Sequence, residues 1–140
     1  MTAASYDLLG MTVTPLHAEP GVYSVLEWRT PPSGGKPPPH RHLQTDENFL
    51  VVRGRLATVI DGEEATHEEG TFAQITRGRW HTFWNPGDEM AIYLTAITPQ
   101  GLEAYFAELA AGLASGLSPA EAQALREELS TRYDVEMPRR

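Results

Sequence analysis

The sequence predicts an all-β domain followed by short C-terminal helices. Before residue 98, short runs of β-branched and aromatic residues are separated by turn signals such as Asp61-Gly62 and Pro86-Gly87-Asp88. Many short strands at this spacing are typical of a sandwich or a barrel. After residue 98 the apolar residues change to helical spacing. With 140 residues and no cysteine, the chain has the length of one domain that folds without disulfides.

Six strands are predicted from alternating apolar residues or from apolar runs that end at turn signals. In chain order they cover Val22–Arg29, Glu47–Val52, Leu56–Ile60, Phe72–Thr76, Trp80–Asn85 and Met90–Ile97. The proline- and glycine-rich segment 31–39 is predicted to be a loop, because proline removes a donor from a strand ladder. We therefore assign residues 1–98 to a β-domain and residues 99–140 to a helical extension that packs on it or on a dimer partner.

Two helices are predicted in this extension. The first is expected to have Thr98 as its N-cap and Pro99 in its first turn. Its apolar stripe consists of Leu102, Tyr105, Phe106, Leu109 and Leu113. The second helix begins at a capping box, Ser118-Pro119-Ala120-Glu121, and carries Ala122, Leu125 and Leu129 on one stripe. We interpret the first stripe as core or interface, with no cofactor implied.

Charge and hydropathy exclude several classes of function. Eleven basic against nineteen acidic residues give a net charge of −8, which argues against nucleic-acid binding. No apolar run approaches the roughly 20 residues that span a bilayer, and the N-terminus has no basic region followed by an apolar one. Nearly all the basic residues are arginine, which is typical of GC-rich bacteria. We expect a soluble, cytoplasmic, bacterial protein that acts on a small molecule.

Histidines provide the candidate metal ligands. His40 and His42 are two residues apart and would face the same side of a strand, so both imidazoles can converge on one point. Glu47 lies at an odd offset from His42, which a turn or bulge at Gln44-Thr45-Asp46 would correct. His81 lies in another strand-like stretch. Three imidazoles and a carboxylate suit one divalent transition metal: Fe, Ni, Mn, Co, Zn or Cu.

Two spaced motifs contain these ligands. The first is Gly34-x5-His40-x-His42-x4-Glu47-x6-Gly54, and the second is Gly70-x5-Thr76-x-Gly78-x2-His81-x3-Asn85. These motifs, at 34–54 and 70–85, resemble those of the cupin superfamily, with a single departure where Thr76 replaces the usual proline. Fifteen residues separate them, similar to the spacing in small single-domain microbial cupins.

The resemblance implies a double-stranded β-helix, the cupin jelly-roll barrel, with one metal held by His40, His42, Glu47 and His81. It also implies a homodimer. Because the family allows either three or four residues before the carboxylate, Asp46 is an alternative ligand. Glu47 is favoured because its longer side chain faces the same way as Phe49. A barrel that has lost its metal is the remaining alternative for these four residues.

We expect a metal-dependent dioxygenase acting on an enolic or phenolic molecule, similar to quercetinase-like cupins, in which Glu47 is both a ligand and a catalytic base. A polyketide-type cyclase or isomerase without redox chemistry is the first alternative. A non-enzymatic binding module is the second. The aromatic residues Trp28, Phe49, Phe83 and Tyr93 are expected to line the substrate pocket or to form ordinary core. The sequence indicates no role for His17 and only a solvated position for His67.

Overall fold

The computed structural model describes residues 4–19, 21–99 and 101–139. Within these residues the chain forms nine strands and two helices. In chain order they are β1 (Tyr6–Leu8), β2 (Met11–Glu19), β3 (Tyr23–Thr30), β4 (Asp46–Arg53), β5 (Leu56–Ile60), β6 (Glu63–His67), β7 (Phe72–Ile75), β8 (His81–Trp84), β9 (Ala91–Thr98), α1 (Leu102–Leu113) and α2 (Pro119–Ser130).

The strands form two antiparallel sheets that face each other as a jelly-roll. The larger sheet has the order β1-β2-β3-β9-β4-β7, and the smaller has the order β6-β5-β8. Segment 35–41, from the predicted loop, extends the smaller sheet through isolated bridges from Gly35 to Trp84 and from His40 to His81. This arrangement is the double-stranded β-helix that the motifs predicted.

The core lies between the sheets and continues beneath the first helix. Inward residues of the strands, such as Leu26 and Val51, are fully buried. From α1, Phe106 packs edge-to-face on the Trp28 ring, with ring centroids 5.1 Å apart. The stripe of α1 therefore belongs to the chain's own core, and the homodimer stays a prediction. Neither helix of the described chain is long and apolar enough to cross a bilayer.

Of the two predicted helix N-caps, that of α2 is confirmed and that of α1 is wrong. The capping box at Ser118 is confirmed, because Ser118 Oγ accepts from Glu121 N and Glu121 Oε1 accepts from Ser118 N. For α1 the predicted cap was wrong. Thr98 ends β9 and its hydroxyl donates to the Val22 carbonyl, while Gly101 occupies the N-cap position. Pairing of Thr98 with β4 draws it into the sheet, so it cannot also cap the helix.

One glycine is required where the chain turns from β4 into β5. Gly54 has a φ of 79°, a left-handed conformation that side chains rarely adopt. A Cβ at this position would lie 3.0 Å from Ala91 Cβ and 3.1 Å from Ala91 Cα. Both the backbone angle and the close approach of β9 therefore demand glycine here.

Candidate metal centre

Strand pairing brings His40 and His81 together. His40 N donates to His81 O at 3.2 Å and His81 N donates to His40 O at 2.9 Å, so the two residues lie directly opposite each other. Paired residues of neighbouring strands project from the same face of a sheet. His42, two residues beyond His40, adds a third imidazole on that face. All three histidines are buried, and one nitrogen from each lies within 4.8 Å of the others.

A backbone carbonyl orients each of these rings. Nδ1 of His40 lies 2.9 Å from Pro38 O, Nδ1 of His42 lies 2.7 Å from Asp134 O, and Nδ1 of His81 lies 3.0 Å from Arg79 O. A carbonyl can only accept, so each Nδ1 carries a proton, and in the neutral ring the lone pair is then on Nε2. This tautomer is the one that histidine metal ligands use.

Glu47 joins the cluster from β4. Its side chain is 1% exposed, and Oε2 lies 3.0 Å from His42 Nε2 and 3.7 Å from His81 Nε2. Among the described residues, none of these three buried atoms has a hydrogen-bond partner of suitable geometry. Buried polar atoms without partners are costly, and a cation bound between them would satisfy all three. The donor set therefore fits a divalent transition metal.

The alternative carboxylate ligand lies elsewhere. Asp46 forms a two-pronged ion pair with Arg77 at the surface, with both N–O distances at 3.1 Å. A bend at Leu43 and Gln44 changes the direction of the chain between His42 and β4. This bend is what turns Glu47 inward, as the odd spacing required, and Asp46 outward.

The electrostatics of the cluster suit metal binding. Burial, reinforced by the neighbouring His81 and His42, lowers the pKa of His40 to about 3. Burial alone would raise the pKa of Glu47, but His42 and His81 outweigh it and hold that pKa well below its usual range. Burial alone would lower the pKa of His42, but the Glu47 carboxylate outweighs this effect and keeps that pKa above its ordinary value. At neutral pH the site thus contains the ionised carboxylate that a metal requires.

The C-terminal segment fixes the bend that lies between the ligands His42 and Glu47. The sequence did not predict this support. The Asp134 carboxylate accepts from Leu43 N at 2.8 Å, from Gln44 N at 2.8 Å and from Thr45 Oγ1 at 2.7 Å. The backbone carbonyl of Asp134 also accepts from His42 Nδ1. This contact spans 92 positions of the sequence, so no local pattern or spacing could have revealed it.

A second turn supports the site from the other side. Gly78, with a φ of 87°, donates its N–H to His42 O at 2.6 Å. Thr76, the one departure from the family motifs, accepts a hydrogen bond at its hydroxyl from Arg79 Nε at 2.9 Å. A side-chain bond thus bridges this turn where the family uses the fixed φ of proline.

A narrow apolar cavity adjoins the cluster, and His40 and Glu47 line it. Of the predicted pocket residues, Trp28 and Phe83 also line it. Phe49 and Tyr93 do not line it, and both are fully buried. The Phe49 ring packs on Phe83, with centroids 4.9 Å apart, and Tyr93 packs on Phe49, with centroids 6.3 Å apart. These two residues are core. The free space is about 30 Å³, room for roughly two water molecules.

The helical extension forms the other wall of this cavity. The wall consists of Tyr105, Phe106 and Leu109 from α1, Arg126 from α2, and Val135 and Met137 from the C-terminal segment. Sequence reasoning assigned the α1 stripe to core or interface only. Helical spacing shows that a residue faces inward, but it does not show that the residue faces a cavity.

The two remaining histidines lie outside the cluster. His17 is in β2, stacked on the Tyr23 ring with centroids 4.7 Å apart. His67 is in β6, where Nε2 lies 2.9 Å from Thr58 Oγ1. His67 was expected to be solvated, and pairing of β6 with β5 leaves its side chain half-buried.

Comparison with known proteins assigns the family. A model of the cupin domain family matches residues 26–97, so the chain belongs to the cupin family. The matched region contains β4 to β8, most of β3 and β9, and every candidate ligand. Of the elements that line the cavity, β1, β2, α1, α2 and the C-terminal segment lie outside the matched region.

Three similar proteins show the range of the family. Gentisate 1,2 dioxygenase 1 of Aquipseudomonas alcaligenes is 33% identical over 60 residues, 43% of this chain and 17% of that protein. Oxidoreductase iacF of Pestalotiopsis fici is 42% identical over 62 residues, 43% of this chain and 30% of that protein. A structure described as a sugar phosphate isomerase of the cupin superfamily from Silicibacter pomeroyi is 26% identical, with a TM-score of 0.58 over 65% of this chain and 60% of that one. The chain spans less than two thirds of each of these proteins.

Proposed function

We propose that this protein is a metal-dependent cupin enzyme that acts as a dioxygenase on a small enolic or phenolic molecule. The observation that carries the proposal is the convergence of His42 Nε2, His81 Nε2 and Glu47 Oε2, buried and without hydrogen-bond partners in the described chain, beside an apolar cavity. His40 belongs to the histidine cluster and also lines the cavity, so it lies where the candidate metal site meets the cavity.

The residues divide into ligands and cavity walls. His40, His42, His81 and Glu47 would hold the ion, which when bound supplies Lewis-acid polarisation of a substrate oxygen and, if redox-active, electron transfer. The apolar walls, including Trp28, exclude water and so strengthen electrostatic interactions at the centre. Four protein ligands leave two positions of an octahedral ion for other molecules.

Glu47 is the candidate base. Its carboxylate stays ionised because His42 and His81 stabilise the charge, so it can accept a proton from a substrate hydroxyl at neutral pH. A strongly lowered pKa makes it a weak base, however. Glu47 would therefore serve first as a ligand of the ion, and as a base only toward a hydroxyl group more acidic than a free phenol.

The names of two similar proteins support oxidation as the reaction. Two of the curated relatives have names that describe oxidising enzymes, and each matches the chain over about 60 residues. Their matched segments are a small part of each protein, so the reaction of this chain stays a proposal.

The test combines metal analysis with oxygen uptake. The purified protein is expected to carry about one transition metal per chain, and His40→Ala to carry much less. His17→Ala is the matched control, because it removes an exposed histidine from β2. Uptake of dioxygen with a panel of phenols and enols should follow metal content. Full occupancy by metal with no uptake on any member of the panel would contradict the oxygenase assignment.

A second candidate function is a metal-assisted isomerase. The similarity to the isomerase from Silicibacter pomeroyi favours it, since that match covers 65% of this chain. In such a reaction the centre would stabilise an enolate without dioxygen. Turnover of a substrate under anaerobic conditions, with redox-inert Zn²⁺ bound, would identify this alternative.

A further inference from the structure

The helical wall of the cavity contains a cation with no anionic partner. Arg126, half-buried on α2, lines the same cavity as His40 and Glu47. It forms no ion pair or hydrogen bond with any residue that the structure describes. Its position contrasts with that of Arg132 near the end of the same helical unit, which pairs with both Glu108 and Glu128.

A second donor lies beside it. Tyr105 of α1 also lines the cavity and is 6% exposed, and its hydroxyl has no hydrogen-bond partner within the described residues. Burial raises the pKa of Tyr105 to about 12, the nearby charge of Arg126 opposes this rise, and that of Glu47 adds to it. The phenol thus stays protonated as a donor and lies within electrostatic reach of both the cation and the candidate centre.

These groups indicate the charge of the missing ligand. An arginine fork and a phenol O–H only donate to a bound oxyanion, and arginine binds carboxylates with particular strength because two parallel N–H bonds form. The whole protein has a net charge of −8, which disfavours the approach of any anion. A cation inside the cavity would supply the local attraction that the surface lacks.

We propose that Arg126, assisted by Tyr105, binds the carboxylate of the substrate, so that the enzyme acts on enolic or phenolic carboxylates and not on neutral molecules. This inference rests on the proposed function, because it assigns the opposite end of the substrate to the metal centre. A divalent ion with three neutral imidazoles and the Glu47 carboxylate has a net single positive charge, and Arg126 adds another. A substrate with one carboxylate and one ionised oxygen balances both.

The cavity has room for about two water molecules, so the proposal requires lining side chains to move when a compact aromatic acid binds. Arg126 and Met137 are the lining side chains we expect to move, because both are long and only half-buried. Arg126 would then close over the carboxylate. The binding energy comes from a charge-assisted hydrogen bond in a site with few competing waters.

The test compares pairs of probes that differ only in charge. Zn²⁺-loaded protein, in which redox turnover cannot consume the probe, is titrated by calorimetry with 3,4-dihydroxybenzoate and with 3,4-dihydroxybenzamide. The 2,3-isomers are titrated in the same way, so that two placements of the carboxylate are covered. Wild type is expected to bind at least one acid about tenfold more tightly than its amide, as a charge-assisted bond predicts.

Three variants test whether Arg126 causes the preference for the acid over the amide. Arg126→Gln should bind acid and amide equally, with the affinity for the amide unchanged. Arg126→Lys should keep part of the preference, because it keeps the charge but not the fork. Arg53→Gln is the control, since it removes the same charge from an exposed side chain that does not line this cavity.

The outcomes separate this inference from the proposed function. If wild type binds acid and amide equally, or Arg126→Gln keeps the wild-type preference, the role of Arg126 is refuted while the metal site stands. If the wild-type protein takes up no Zn²⁺, or binds none of the four probes when loaded, the proposed function fails and this inference fails with it.

Discussion

Replacement of Asp134 by alanine tests whether the C-terminal segment positions the metal ligands. The Asp134 carboxylate makes three hydrogen bonds to the bend at Leu43, Gln44 and Thr45, which lies between ligands His42 and Glu47. Alanine removes all three and leaves the backbone bond to His42 in place. The bend then loses the restraint that sets the direction from one ligand to the next.

The magnitude follows from the exposure of the three partners. Leu43 and Gln44 are exposed, so water replaces the carboxylate at their N–H groups, and each bond contributes about 1 kcal/mol. Thr45 is 6% exposed, so its unpaired hydroxyl costs about 1–2 kcal/mol. Asp134→Ala should therefore lower the free energy of unfolding by about 3–4 kcal/mol and weaken metal binding by about tenfold or more.

Two measurements check this prediction. Urea unfolding of the metal-free protein, followed by tryptophan fluorescence, gives the free energy, and competition with a chelating dye gives the affinity for Ni²⁺. Asp134→Asn keeps one acceptor oxygen and should lie between wild type and alanine. Glu136→Gln is the control, because it breaks only a partly exposed ion pair with Arg41 in the same segment. If Asp134→Ala matches Glu136→Gln in both measurements, the positioning role is refuted.

Two further predictions concern pH and backbone strain. The pKa of His40 is lowered to about 3, so below about pH 6.5 the unfolded chain takes up a proton that the folded one refuses, and stability falls as pH falls. Between pH 6 and pH 5 the free energy of unfolding of the metal-free protein should fall by about 1 kcal/mol through this group. Urea unfolding of His40→Gln should lack this part of the pH dependence, and equal slopes for the two proteins would contradict the prediction. Gly54→Ala should lower the free energy of unfolding by about 2 kcal/mol or more, because it adds contact with Ala91 to the left-handed strain of about 1 kcal/mol. Gly62→Ala, at a φ of 82° with no atom near the added Cβ, should show the strain alone, and equal losses in thermal or urea unfolding would refute the packing argument.

The strands that the sequence predicted are those with apolar inward faces. All six predicted strands are found within one residue of their predicted bounds, as β3, β4, β5, β7, β8 and β9. β6 was missed because Glu63–His67 is a polar, mostly exposed edge strand that pairs with β5 through its backbone. Edge strands carry charges that prevent further pairing, so they have no apolar alternation to detect.

The N-terminal strands were missed for a different reason. β1 is three residues long, too short for a periodic signal. In β2, Pro15 contradicts a strand interior on local rules. The ladder between β2 and β3 shifts register between Pro15 and His17, and this irregularity accommodates the residue that cannot donate. Local propensity therefore predicted no strand here, whereas the tertiary pairing allows an irregular one.

The sequence by itself determined the ligand types and the family, because two motifs with fixed spacing encode which residues can meet in a β-helix. His40 and His42 could be paired from their two-residue spacing, because side chains of a strand alternate between its faces. His81 was joined to them by the second motif. Only the tertiary structure decided what surrounds them. Asp134, the cavity wall from α1 and the unpaired Arg126 all lie more than 60 positions along the sequence from the ligand His42. Contacts at that separation depend on where the helices dock, and docking is set by complementary shapes that no local pattern records.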